Sequence, residues 1–439
     1  MIPVKLEGEE DKYILIHGYT GAMDIVTKDF LEKIKSVDTY HTFPESTVLT
    51  LLKRGYITTK TQEEEYAHVA RIAKALHRKA DILYSSFTWV VTYNCNFRCP
   101  YCFESRDKKD GGKQIVFTKE QVDIAYNAME KIQPHKELRK KAITLYGGEP
   151  LMEENKEIIT YIVEEGKKRG YSFVAVTNGY EVEHFLNLLG QDSIYKLQIT
   201  VDGPQKIHDQ RRIHYKNHHT FDKIISNVKL ALDKGIKVVI RMNTDNQNIG
   251  LFNELKAFFQ EHGFYNYPQF ELYNAILKNN DAVTSEEQNK LNFLSPESFM
   301  NKQETYANIR GRVSIYNNVS EALESKKPLS LKSISCASQS NGYVLDPLGN
   351  IYPCWEVIGN NKCLEGIYTK NGITWNNEII RQWKNLDVSQ RTPCKYCKYA
   401  LLCGGGCPYH YLLGENMSCK LYRKAFDKEV NLAYANYNK

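Results

Sequence analysis

Three cysteines lie within eight residues, Cys95-x3-Cys99-x2-Cys102. Thiolates at this spacing in one short loop can wrap one corner of an iron–sulfur cubane. A [4Fe–4S] cluster ordinarily takes four protein ligands, so a three-thiol loop leaves one iron open to a small molecule. Zinc is the plain alternative, but a structural zinc takes four ligands and no further Cys or His stands close by. Eight more cysteines crowd toward the C-terminus: Cys336, Cys354, Cys363, Cys394, Cys397, Cys403, Cys407 and Cys419. Seven or eight thiolates suffice for two further clusters; two zinc ribbons are the alternative. Eleven is an odd number, and the N-terminus, MIPVKLEGEEDK, carries no apolar signal. Both argue against a disulfide framework and for thiols kept reduced in a cytoplasm.

The elements that must hold these thiols follow from the apolar pattern. Short β-rich runs appear at 87–93, 142–146, 172–177, 196–201, 237–243 and 269–276. Helical patterns lie between them at 118–132, 154–168, 181–189, 221–234 and 250–261, the first opening on a Thr118/Gln121 capping box. Strand–helix alternation repeated about six times predicts a parallel sheet of βα units. An open, partial (β/α) barrel and a doubly wound sheet fit that count equally. Residues 1–85 form a separate preamble, with a strand near 13–16 and helices at 28–36, 44–54 and 62–79. Residues 277–335 are polar, with weak helical signals at 286–294 and 297–325, and read as a linker or insertion. The stretch 336–439 is Gly- and Cys-rich up to 419 and helical at 420–437. Its own core is too small to hold it, so it should need metal staples.

Composition sets the outer bounds. The chain has 439 residues, 42% hydrophobic and 25% charged, enough for a packed core in two or three domains. No apolar run approaches the roughly 20 residues that cross a bilayer. A net charge of +6 without a Lys/Arg-rich block gives no case for nucleic acid. The run HKELRKK (135–141) is a candidate dock for an acidic electron donor; a solvated face is the plain reading.

CNFRCPYC (95–102) resembles the signature loop of the radical S-adenosylmethionine (SAM) superfamily. Gly147-Gly148-Glu149-Pro150, at the end of the second barrel strand, is similar to that family's contact to the SAM methionyl group. Tyr101 is similar to its adenine contact. Thr200-Val201-Asp202-Gly203-Pro204, followed by His208-Asp209 and Arg212, resembles the fourth-strand motif, with Thr200 and Arg212 where members contact SAM. The resemblance covers about 86–276. It implies a partial (β/α)6 barrel with its site at the C-terminal strand ends, where parallel βα barrels collect function. The C-terminal cysteines resemble the SPASM extension of such enzymes. That likeness implies Cys394, Cys397, Cys403 and Cys419 on a distal cluster, with Cys336, Cys354 and Cys407 on a nearer one. Cys363 is left over: a fourth ligand of the nearer cluster, a free thiol, or the neighbour of a position open to a substrate thiolate.

The resemblance further implies three [4Fe–4S] clusters, SAM, a one-electron donor such as flavodoxin or ferredoxin, and hydrogen abstraction by a 5′-deoxyadenosyl radical. Members with this pattern mostly modify peptides. One branch matures ribosomal precursor peptides by thioether or carbon–carbon cross-links. Another, the anaerobic sulfatase-maturing branch, makes formylglycine and has an Asp directly after the second SPASM cysteine. Here Trp355 follows Cys354, and Trp cannot take a proton. Glu356 is therefore the candidate base, a surface carboxylate being the alternative. The cross-linking branch is the leading expectation and the sulfatase type the second; a non-catalytic zinc or Fe–S partner-binding protein is the third. For the first, residues 13–17 are the expected edge to which a leader peptide adds a strand.

Overall fold

The computed structural model describes residues 1–104, 115–277, 293–295, 298–299, 310–414 and 417–438. The described chain forms two compact units: one of residues 1–82, 310–340 and 383–438, the other of 83–277, 293–295, 298–299 and 341–382.

The second unit is built on a ten-stranded sheet. Its heart is six parallel strands in sequential order: β4 (Ser85–Thr92), β5 (Arg139–Gly147), β6 (Ser172–Thr177), β7 (Ile194–Thr200), β8 (Lys237–Thr244) and β9 (Phe270–Ile276). This is the partial (β/α)6 barrel. Alternation along each strand decides which side chains meet the helices. Phe87, Trp89 and Val91 of β4, Ile143 and Leu145 of β5, and Val238, Ile240 and Met242 of β8 share one buried core with Val122, Ala125 and Met129 of helix Lys119–Ile132. Period-2 geometry then turns the intervening residues to the other face. These include Tyr146 of β5, Gln198 and Thr200 of β7, Arg241 of β8 and Tyr273 of β9. The Thr118/Gln121 capping box is formed in full.

Two features depart from the sequence pattern. The stretch 181–189 makes only a 3-10 turn, Val182–Phe185. Val182, Phe185, Leu188 and Leu189 are nevertheless buried, so the apolar pattern marks a buried face and only the helix type differs. Beyond β4 the sheet also continues through β10 (Gly342–Leu345), parallel to β4, and the antiparallel β11 (Asn350–Tyr352), β12 (Gly366–Thr369) and β13 (Gly372–Trp375). Part of the cysteine-rich stretch thus shares the barrel's sheet and core, through Leu345, Ile351 and Tyr368.

The first unit opens with a three-stranded antiparallel sheet of β1 (Ile2–Lys5), β2 (Lys12–Ile16) and β3 (Met23–Thr27) in that order. Helices Lys28–Lys35, Glu45–Arg54 and Gln62–Ile82 follow. The residues expected as an open edge, 13–17, belong largely to β2, the middle strand with neighbours on both sides. Ile14, Leu15 and Ile16 are wholly buried there, which rules that edge out. The strand with β2 on one side only and Ile25 exposed is β3. Ala73 of the third helix packs with Val388, Ala400 and Leu401 in one small core. His77 bonds the carbonyl of Gln339 (2.7 Å) and the carboxylate of Asp387 (3.4 Å). The expected helix at 286–294 falls mostly outside the described residues. The one expected at 297–325 is described as helix Arg310–Ser325, and the tail is helix Met417–Tyr437. No described helix is long and apolar enough to cross a membrane.

Candidate active site and cysteine-rich centre

The loop bearing Cys95, Cys99 and Cys102 leaves the C-terminal end of β4 and is pinned to the segment after Arg212. Arg98 N donates to Ile213 O (2.7 Å) and Tyr215 N to Asn96 O (3.0 Å). Phe97 is buried between them against Tyr180 and His214. Within the loop, Cys102 N donates to Cys99 O (3.1 Å) and Phe97 N to Cys95 Sγ (3.3 Å). The backbone is thereby committed to its own turns, while the three thiols stay partly exposed.

Gly147 and Gly148 run directly against the stem of this loop. Gly148 N donates to Thr92 O (2.8 Å) and Glu149 N to Asn94 O (2.7 Å). A Cβ at 147 would stand 2.3 Å from Thr92 O, at a left-handed φ of 116°; one at 148 would stand 2.0 Å from Asn94 O. Only glycine allows this approach. Glu149 is buried, and its carboxylate accepts from Thr177 Oγ1 (2.5 Å), Asn178 N (2.5 Å) and Leu151 N (2.8 Å). Burial pushes it up to about 7, against the pull of those donors. Its side chain braces the turn from within the protein. Asn178 also donates to Asn96 Oδ1 (2.7 Å), joining the end of β6 to the cysteine loop.

A second network closes around Tyr101. Its hydroxyl bonds the carboxylate of Asp202, a wholly buried residue, and lies 3.3 Å from Asn243 Nδ2 and 3.4 Å from Arg212 Nη1. Burial, then Asp202, holds this phenol well above its ordinary range. Asp202 is held by Asn243 N (2.9 Å) and faces Arg211, which pairs with Asp245 (2.7 Å). Burial and the nearby Arg212 push His208 down to about 3, so it is a neutral ring hydrogen-bonded with Thr220 Oγ1 (3.0 Å). Asp209 accepts from Thr220 N and Phe221 N, at the start of helix Phe221–Asp233. Much of this motif therefore builds the site. Arg212 reaches it: Nη1 lies 3.3 Å from Cys99 Sγ, while Nε is enclosed without a hydrogen-bond partner among the described residues. Thr200, the last residue of β7, stands in register with Arg241 of β8.

Glu356 is brought to this end of the barrel. Tyr146, beside the glycine pair, stacks on Trp355 with ring centroids 5.4 Å apart and planes 17° apart. Burial raises the Tyr146 phenol well above its usual range, and the charges of Glu104, Glu356 and Cys102 add to the rise. The short motif signals gave no notice of Tyr146, Asn178 or Asn243; Asp202 and Trp355 stood in or beside motifs, but their pairing with Tyr101 and Tyr146 was not signalled. The HKELRKK run, in contrast, opens β5 at its N-terminal end. Six strand residues beyond Lys141, at about 3.3 Å each, set its end roughly 20 Å from Gly147.

In the first unit, Cys394, Cys397, Cys403 and Cys419 line one cavity together with Tyr422 and Arg423. Burial pushes the Cys394 thiol up to about 11, with Cys403, Cys397 and Cys419 adding to the rise. Arg423 Nη2 lies 3.3 Å from Cys397 Sγ. Cys336 and Cys407 also belong to this unit, while Cys354 and Cys363 belong to the other. Among the described residues no three His, Cys, Asp or Glu side chains converge on a single ion. A cubane spreads its thiolates over several irons and does not require such convergence. The donor sets fit iron–sulfur ligation: three thiols in a pinned loop with an unsatisfied guanidinium beside it, and four thiols around one hollow.

Residues 89–255 match the Radical SAM superfamily. The chain carries a radical SAM domain. Among known proteins, a cysteine-type anaerobic sulfatase-maturating enzyme of Clostridium novyi (strain NT) is 22% identical over 77% of this chain and 93% of its own length. A GTP 3′,8-cyclase of Campylobacter fetus subsp. fetus (strain 82-40) is 28% identical over 34% of this chain and 44% of its own. Among solved structures, native anSMEcpe with bound AdoMet and Cp18Cys peptide matches with a TM-score of 0.58 and 18% identity, covering 80% of this chain and 99% of that one. Streptococcus suis SuiB bound to S-adenosylmethionine matches with a TM-score of 0.50 and 13% identity, covering 93% and 97%. At these identities the structural likeness speaks to fold. Radical SAM enzymes use a [4Fe–4S] cluster and SAM.

Proposed function

We propose that this enzyme modifies a ribosomally made precursor peptide, forming a thioether or carbon–carbon cross-link. In this superfamily the reduced cluster and SAM supply a 5′-deoxyadenosyl radical, which takes a hydrogen atom from the substrate. Cys95, Cys99 and Cys102 would hold that cluster. The backbone at Gly147 and Gly148, with Tyr101, Thr200 and Arg212, would orient SAM. Glu149 fixes the turn that makes this possible. Glu356, near the Tyr146 phenol, is placed to accept the proton released when the product bond closes. Tyr146 and Trp355 stack at this end of the barrel, with Trp355 open to solvent on its other side. Cys394, Cys397, Cys403 and Cys419 would hold one auxiliary cluster. An auxiliary cluster would take the electron left on the substrate.

The observation that carries the cross-linking reading is Trp355. An aromatic ring stacked on Tyr146 occupies the position after Cys354, where the formylglycine-forming branch carries a proton acceptor. One further feature supports it. In the N-terminal sheet, β3 is an outer strand to which an extended leader could add. A flavodoxin- or ferredoxin-type protein would supply single electrons.

The sulfatase-maturing reading is the second, favoured by the full-length likeness to the Clostridium novyi enzyme; in it Glu356 would take the same proton. The test is incubation of reconstituted enzyme with SAM, a reductant and a small Cys-containing peptide encoded beside its gene. A product about 2 Da lighter with a new intramolecular bond is expected. Formylglycine would move the assignment to the second reading, and no 5′-deoxyadenosine would contradict both.

A further inference from the structure

Arg391 is a buried charge with no ion pair among the described residues. It is 0% exposed and among the largest fully buried side chains of the protein. Nη1 donates to the carbonyls of Gly405 (2.6 Å) and Gly406 (3.1 Å), and the guanidinium lies over the Tyr411 ring at 4.8 Å. The three glycines between Cys403 and Cys407 all adopt left-handed φ values of 73°, 83° and 72°. That bend turns two of their carbonyls toward Arg391. Nε and Nη2 are enclosed with no hydrogen-bond partner among the described residues. The groups that act most strongly on its charge are the thiols of Cys394 and Cys407, the phenol of Tyr411 and the thiol of Cys403. All of these are neutral when protonated.

A guanidinium cannot shed its proton in a protein, and an uncompensated buried charge is expensive. The arrangement makes sense when something anionic lies beside it, and Gly405, whose carbonyl Nη1 meets, lines the cavity of Cys394, Cys397, Cys403 and Cys419. We infer that Arg391 is the resident counter-cation of an anionic iron–sulfur cluster held by those four cysteines. This rests on reading that cavity as an auxiliary-cluster site. Four thiolates make such a cluster negative, and more so once reduced. A buried donor of positive charge favours the reduced state and raises the potential. Arg423, on Cys397 Sγ, adds a second, more exposed donor. Arg391 is thus a positioning and tuning residue.

The consequence is a reversal of sign between the iron-free and loaded protein. Full-length wild type, R391M and R391K would be compared by thermal unfolding after chelation and after anaerobic reconstitution. Redox titration by electron paramagnetic resonance would be run on the loaded forms. In the iron-free protein R391M should melt at or above wild type, because an unpaired buried charge is gone. In the loaded protein it should lower the potential of one cluster and surrender that iron faster to chelator. R391K keeps the charge without the fork and should lie nearer wild type in potential. The inference is overturned if R391M destabilises the iron-free protein as much as the loaded one, which would mean that the guanidinium only props the glycine turn. Unchanged potential and unchanged iron retention would overturn it equally. If wild type loads no more iron than Cys394→Ala, the cluster reading itself is what fails, since the cavity then holds no anion.

Discussion

A carboxylate that is buried, yet met by three hydrogen-bond donors, is pulled in opposite directions. At Glu149 burial wins, moving the group from 4.5 to about 7. A carboxyl that binds its proton more tightly in the folded state than in the unfolded one penalises folding once it must ionise. The penalty is absent below about pH 4.5, grows as pH rises to about 7, and is constant above. At about 1.4 kcal/mol per pH unit it amounts to roughly 3 kcal/mol. Glu149→Gln keeps one acceptor but turns an NH2 toward the donors of Asn178, Thr177 or Leu151. It should cost about 1–3 kcal/mol at pH 5, and the gap to wild type should narrow by pH 8, because the variant cannot ionise. Denaturant unfolding of the iron-free protein at the two pH values measures this. Parallel curves would show that Glu149 stays ionised throughout. None of this was legible from GGEP, which advertised a ligand contact; the brace depends on Thr177 and Asn178, 28 and 29 residues away.

At the scale of elements, the apolar runs located all six barrel strands within a few residues, because each buries alternate side chains under a helix. They missed β1, β3 and β10–β13. Those strands are three to five residues long, and most of them carry too little periodic signal to compete with turn propensity. What the elements do for chemistry is concentrated where β5 ends against the stem of the cysteine loop. Gly148→Ala pushes a methyl into Asn94 O, a backbone atom that cannot swing aside. About 1–3 kcal/mol of stability should be lost. The displaced loop should also bind less than the roughly four iron atoms of a full cubane, as read by iron analysis after anaerobic reconstitution. Full iron content in a stably folded variant would contradict the crossing described here.

Over the whole molecule, the cysteine spacing announced the chemistry long before the fold did. Thiols at x3 and x2 separations are local facts, and local facts survive in sequence. The grouping of the chain does not: residues 1–82 belong to one unit with 310–340 and 383–438, joined by contacts such as Ala73 with Leu401 and His77 with Asp387, more than three hundred residues apart. No periodicity encodes such pairings. The central proposal remains local: Cys95, Cys99 and Cys102 would carry a cubane whose remaining iron is capped by SAM. Electron–nuclear double resonance on the anaerobically reduced enzyme, with SAM isotopically labelled at its amino nitrogen, tests it most directly. A hyperfine coupling between that nitrogen and a [4Fe–4S] signal is predicted, and both should vanish in Cys99→Ala. A cluster signal in that loop that ignores labelled SAM, or one that survives the loss of Cys99, would contradict the account.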